Sequence, residues 1–150
     1  MNKLKVLMAS ILFVSLVGCS GSSGKTLTCT MKDSNNKVEL KYDDDVLKSI
    51  TATQETDLST YGMSDEETEK LAKEFAESLA EIKGYTYTYK VKDGKLSETT
   101  TLDYEKADFD ELIKNNFLTE DDLKKDDDKK QYISFKTMKE SIESSGYTCK

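Results

Sequence analysis

The run YTYTYKVKDGKLSETTTLDY, residues 85–104, decides the fold. Tyr85, Tyr87, Tyr89 and Val91 alternate with Thr86, Thr88, Lys90 and Lys92, the period of a half-buried strand. Asp93-Gly94 is the strongest short signal for a hairpin turn. A two-residue turn there pairs Val91 with Leu96, Tyr87 with Thr100, Tyr85 with Leu102 and Thr88 with Thr99. That register keeps an aromatic face and a threonine face apart, which supports the hairpin independently of the turn.

Working toward the N-terminus, Leu71, Phe75, Leu79 and Ile82 recur at helical spacing, with Ala72, Ala76 and Ala80 beside them. Ser64-Asp65-Glu66-Glu67 is a capping box with acids in the first turn, and Gly84 is the expected stop. The pattern predicts a helix over Ser64–Lys83 with its apolar side toward the sheet. Three strands precede it. Leu27, Cys29 and Met31 alternate with Thr28 and Thr30. Val38, Leu40 and Tyr42 alternate with Glu39 and Lys41 after the turn residues Asp33-Ser34-Asn35-Asn36. Val46 to Glu55 follows Asp43-Asp44-Asp45 and is rich in β-branched residues.

Working toward the C-terminus, Phe109, Leu112 and Ile113 mark a short helix opened near Asp108. Thr119 to Lys130 is mostly charge and reads as loop or a ragged helical turn. Phe135, Met138 and Ile142 mark a last helix that ends at Gly146, and Tyr147 and Cys149 form a terminal strand returning to the first. The expected fold class is α+β: an antiparallel sheet of about five strands, with the long helix and the C-terminal helix packed on one face.

The first residues are of another kind. Met1 to Lys5 is a short positive segment, and Val6 to Val17 is apolar but for Ser10 and Ser15. About a dozen residues are too few to span the ~30 Å hydrocarbon core and suit a signal peptide. The segment ends in Leu16-Val17-Gly18-Cys19, which resembles the bacterial lipobox. The reading is cleavage before Cys19, attachment of lipid to its thiol, and a protein held in the membrane by its N-terminal anchor on the extracytoplasmic side. Two acyl chains hold stably where one is marginal. The expected organisation is a lipoprotein signal peptide over 1–18, a lipidated Cys and Gly/Ser tether over 19–24, and a single α+β extracytoplasmic domain over 25–150. The tether holds the domain off the headgroups by roughly 12 Å.

With Cys19 lipidated, Cys29 and Cys149 remain, and an even pair in an exported domain reads as one disulfide. It encloses nearly the whole domain, so the chain-entropy estimate is ~5 kcal/mol as an upper figure. Two free thiols are the other reading, but neither has a helix N-terminus or a histidine beside it to lower its pKa.

Composition narrows the function. Hydrophobic content is 36% and charged content 34%, very polar, yet eight Tyr and five Phe argue against disorder. Lys3 and Lys5 supply two positive charges, so the chain beyond Cys19 carries −9 against −7 for the whole. That balance disfavours nucleic acid and anionic lipid, which need basic clusters. There is no His, the usual residue for acid–base work near neutral pH and the commonest metal ligand. The acidic runs Asp43-Asp44-Asp45, Glu120-Asp121-Asp122 and Asp126-Asp127-Asp128 lack the spacing of a calcium loop. No nucleophile–base constellation can be named, so the expectation is no catalytic residue, no metal and no cofactor. Tyr85, Tyr87 and Tyr89 are the one feature with binding character, since aromatic rows can stack on sugars or peptides. Leu96 and Leu102 share their face, which favours a core role beneath the helix.

The order of elements also resembles the YehR-like family, small bacterial lipoproteins whose domain has no known function. The residues that carry the resemblance are Asp45-Val46-Leu47-Lys48, the long helix ending at Gly84, Asp103-Tyr104-Glu105-Lys106-Ala107-Asp108-Phe109, and the run Met138 to Gly146-Tyr147. The resemblance spans Leu27 to Tyr147. It implies an α+β fold and a lipid anchor, and it offers no catalytic residues. The combined expectation is a membrane-anchored binding or interaction module of the cell envelope. A structural or assembly role in an envelope complex is the alternative, and a small envelope enzyme comes third.

Overall fold

A computed structural model describes residues 24–150. The expected signal peptide, Cys19 and the Gly/Ser tether lie outside the described residues.

Three strands open the domain: β1 (Lys25–Met31), β2 (Lys37–Asp43) and β3 (Val46–Asp57). Helix α1 (Asp65–Leu79) follows a single 3-10 turn over Leu58–Tyr61. Strands β4 (Tyr85–Lys92) and β5 (Lys95–Asp103) form the expected hairpin, and a short α2 (Phe109–Lys114) comes next. Strands β6 (Leu123–Lys125) and β7 (Gln131–Ile133), helix α3 (Phe135–Ser144) and strand β8 (Tyr147–Cys149) complete the chain. The fold is α+β. Its main sheet has six strands in the order β4-β5-β3-β2-β1-β8, with every pairing antiparallel.

The hairpin register is the one read from the sequence: Val91 opposes Leu96, Thr88 opposes Thr99, Tyr87 opposes Thr100 and Tyr85 opposes Leu102. Asp93 and Gly94 have φ of 54° and 73°. Both are left-handed, as the turn that matches strand twist requires. One row of the sheet then runs Tyr87, Thr100, Ala52, Val38, Cys29, and the next runs Tyr85, Leu102, Ile50, Leu40, Leu27. These rows face the core. The opposite face carries Thr51, Thr53, Thr99 and Thr101; Thr51 and Thr101 share a hydroxyl hydrogen bond of 3.0 Å there.

Helix α1 starts as expected. The Ser64 hydroxyl accepts from the Glu67 amide, and the Glu67 carboxylate accepts from the Ser64 amide. Its end differs from the expectation. The α-helix stops at Leu79, and Ile82 N–H to Leu79 C=O and Tyr85 N–H to Ile82 C=O bonds, both 3.1 Å, tighten the chain into three-residue turns before β4. Gly84 closes that turn at φ 78°, where a Cβ would stand 2.5 Å from the Asp103 carbonyl oxygen.

Within the charged stretch, Glu120–Asp122 forms a single helical turn, one of the two expected outcomes. The other departure follows it: residues 123–133 form a two-stranded ribbon, with Leu123 opposite Ile133. The acidic run turns the ribbon: the Asp126 carboxylate accepts from the Lys130 amide at 2.8 Å. Leu123 and Ile133 join the core, an apolar pair too widely spaced in sequence to show a strand period.

Helix α3 is fastened to the β2–β3 turn. The Asp45 carboxylate accepts from the Ser134 hydroxyl at 2.9 Å and from the Lys136 amide at 2.9 Å, and Phe135 stacks on Tyr42 with ring centroids 3.6 Å apart. Beyond it, β8 pairs with β1, and Thr28 and Lys150 exchange both backbone hydrogen bonds. Cys29 and Cys149 are therefore a non-hydrogen-bonded pair, whose side chains approach most closely. They are joined with an S–S distance of 2.04 Å. Leu40, Leu47, Leu112 and Cys29 form the fully buried centre.

Candidate functional site

The core face is not covered evenly. Helix α1 lies against β4 at one edge and α3 beside β8 at the other. Helix α1 meets the sheet through Thr68, Ala72 and Leu79, which are buried. Two of these are small, and the larger side chains of Leu71 and Phe75 are turned to the helix flank. Leu71 and Phe75 are 54% and 47% exposed. The sequence pattern placed both on the core side, and the structure corrects that. An apolar stripe wider than the contact leaves its margin in solvent.

Tyr61, Leu71 and Phe75 are the large hydrophobic residues left exposed among the described residues. All three border one groove of about 390 Å³. Its floor is the aromatic face of the sheet at the hairpin end, with Thr56 of β3, Leu96 and Glu98 of β5 and Tyr87 of β4. Its walls are α1 and the segment from Leu58 to Met63.

The three tyrosines of the sequence reading divide. Tyr85 packs at 5.0 Å on Phe117 and belongs to the core margin. Tyr87 stands edge-on to Phe75 at 5.0 Å and an interplanar angle of 88°, and it alone of the three lines the groove. Tyr89 stacks on Tyr87 at 5.9 Å and is half-buried. The row is thus split: Tyr85 lies at the core margin, and Tyr87 borders the groove.

Glu98 is the residue the sequence reading missed. It opposes Tyr89 and shares the aromatic face. Its carboxylate accepts from the Tyr87 hydroxyl and, at 2.8 Å, from the Gln54 amide nitrogen. Among the described residues no lysine lies within salt-bridge distance of it. The signal was in the register already: a single acid among the hairpin residues of the tyrosine face. Burial, then the Glu98 carboxylate, pushes the Tyr87 hydroxyl well above its ordinary value. Tyr87 therefore stays protonated and serves as a donor. Burial also raises Tyr85, and it pushes Tyr104 up to about 12.

A second cavity of about 460 Å³ lies at the opposite end of the sheet, between Val46–Lys48, Tyr104–Phe109 and β7. Two of the stretches that carry the family resemblance meet there, and their visible work is fastening. Lys48 pairs with Glu105 at 3.1 Å, and the Tyr104 amide donates to the Lys48 carbonyl. Among the described residues no group of three Cys, Asp or Glu is placed to hold a metal ion, and no helix is long and apolar enough to cross a membrane.

Known proteins resemble this chain along most of its length. Residues 24–148 match the family described as protein of unknown function, DUF1307. An uncharacterised lipoprotein of Listeria innocua is 31% identical over 111 residues, 73% of this chain and 72% of its own. The solution structure of the Escherichia coli YehR protein superposes with a TM-score of 0.62 at 18% identity, covering 87% of this chain and 93% of that one. The solution structure of a protein from Streptococcus pneumoniae does so with a TM-score of 0.52 at 20% identity, covering 100% and 98%. The two structural likenesses show the fold.

Proposed function

The chain belongs to the DUF1307 family of proteins of unknown function, and from that premise we propose that it is a membrane-anchored, extracytoplasmic lipoprotein whose domain is a non-catalytic binding module of the cell envelope. The anchor reading rests on the apolar leader ending in Leu16-Val17-Gly18-Cys19, and the Listeria innocua relative, itself a lipoprotein, supports it. The binding reading rests on one observation: Tyr61, Leu71 and Phe75, the exposed large hydrophobics among the described residues, converge on one groove. A face left apolar and open marks an interaction site more often than an accident of packing.

The groove's chemistry supports binding rather than catalysis. Two of its hydroxyls are already engaged: Tyr87 donates to Glu98, and the Thr68 hydroxyl donates to the Ser64 carbonyl at 2.8 Å. None is poised on a nucleophile.

Position supports it too. Lys25 opposes Tyr42, which opposes Leu47, so the chain enters from the tether at the end of the sheet away from the hairpin turn. The groove sits near Thr56, nine positions along β3, roughly 30 Å from that entry at a strand's rise of ~3.3 Å per residue. A short tether then holds one end at the membrane and presents the groove outward.

The test has two arms. Labelled palmitate should enter the wild type on growing cells and not Cys19→Ala. A photo-crosslinking residue replacing Leu71 in the lipidated protein on intact cells should give discrete adducts, while the same residue at Thr51 on the opposite face should not. Equal labelling from both faces would remove the groove from the proposal; palmitate in the Cys19→Ala protein would remove the anchor.

A further inference from the structure

The sheet sorts its charges by strand parity. Lys90, Lys92 and Lys95 at the hairpin end share the threonine face, and Lys95 is committed to Glu55 at 2.8 Å. The aromatic face at the same end carries Glu98 and no lysine. A half-buried carboxylate held by two neutral donors is thus left facing an apolar space walled by Leu71, Phe75 and Leu96. Such a group gains most from a donor that carries charge.

Leu71 and Met63 also line an adjoining hollow of about 460 Å³, whose other walls include Glu67, Lys70 and Glu74. Lys70 is only loosely matched to Glu74, at 4.0 Å, and the hollow's remaining charge is negative. The apolar groove and this more polar hollow meet at Leu71 and Met63, with Glu98 in the first and Glu67 and Glu74 outnumbering Lys70 in the second, which suits an extended object with apolar groups beside positive charge.

We infer that the occupant of the groove is a protein segment that sets apolar side chains beside lysine or arginine, the apolar groups filling the recesses at Leu71 and Phe75 and a cation completing Glu98. This rests on the reading of the groove as a binding surface and adds the chemistry of the partner. The excess of acid over base beyond Cys19, −9 formally, steers the same class of segment toward it. Once cut before Cys19, a tether of six residues extends to about 20 Å at most, short of the roughly 30 Å to the groove.

The probe is a ten-residue peptide of Leu, Phe and Lys, with a counterpart in which Gln replaces every Lys. Binding to the full lipidated protein, in nanodiscs of zwitterionic lipid, is read by fluorescence anisotropy. The lysine peptide should bind about tenfold more tightly than the glutamine one, the effect of one charge-assisted hydrogen bond. Glu98→Gln, which keeps an acceptor for Tyr87, should erase most of that ratio. Glu140→Gln on α3, remote from the groove, should preserve it. If Glu140→Gln weakens the lysine peptide as much as Glu98→Gln does, diffuse attraction explains the preference and the inference fails. If both peptides bind equally and Leu71→Ser abolishes both, the groove binds without a cation; the inference fails and the binding reading stands. If neither peptide binds, both fail.

Discussion

At the β1–β8 side of the sheet, Leu40 and Cys29 are entirely buried, α3 stacks Phe135 on Tyr42, and a cross-strand disulfide closes the edge. At the β4–β5 side, on the same face, α1 leaves Leu71 and Phe75 half in solvent above Glu98. Both helices carry an apolar stripe at helical spacing. What differs is the contact. Helix α3 is pinned by Asp45 across the chain and rests Phe135, Met138 and Ile142, each partly buried, on the core, whereas α1 buries Thr68, Ala72 and Leu79 and leaves the large Leu71 and Phe75 at its flank. One side of the domain serves stability, and the other retains apolar surface that folding does not use.

The comparison breaks most forcefully at the disulfide. Replacing Cys29 and Cys149 together with Ala should cost about 4 kcal/mol in guanidinium denaturation, since the bridge ties positions 120 residues apart. A loss below about 1 kcal/mol would mean that strand pairing alone holds β8. Next comes a paired substitution. Leu40→Ala should cost about 3 kcal/mol, while Leu71→Ala should stay within about 0.5 kcal/mol of wild type. Similar losses at the two sites would erase the distinction between a packed side and an open one. Asp45→Ala should cost about 1–2 kcal/mol, because it leaves the buried Ser134 hydroxyl and the Lys136 amide without their acceptor. Its amide-exchange signature should appear in α3 and spare α1.

The smallest effect is a dependence on pH at the open side. Hydrogen bonds from the Ser64 amide and hydroxyl hold the Glu67 carboxyl below its ordinary value near 4.5. The bound form is the ionised one, so the cap is fully present above the unfolded value and is lost as pH falls through the lower folded one. Amide exchange in the first turn of α1 should therefore quicken as pH falls below 4.5, and Glu67→Ala should show the quickened exchange already at neutral pH. Unchanged exchange in that variant would show that the α1 cap is not the weak point.

Much of this architecture was readable beforehand because it is set by neighbours in sequence. Alternation at 85–91, Asp93-Gly94 and the Ser64–Glu67 box act within a few residues, and each is found where it was expected. The β6–β7 ribbon was hidden because its apolar residues are singletons within charge, and its turn is closed by Asp126, a residue type that reads as solvated loop. The candidate site was half legible. Tyr87 was singled out as a row member, but Glu98 was passed over, although the register already placed it on the tyrosine face.

By itself the sequence determined which residues share each face of each element, since side-chain direction follows from a period of two or 3.6 along the backbone. It also determined the hairpin register and the turn that closes it. Only the tertiary structure decided which of those faces found cover. Burial depends on where a second layer happens to lie and how closely it approaches. Helix α1 covers the tyrosine side only in part, leaving an aromatic groove with a carboxylate at its floor.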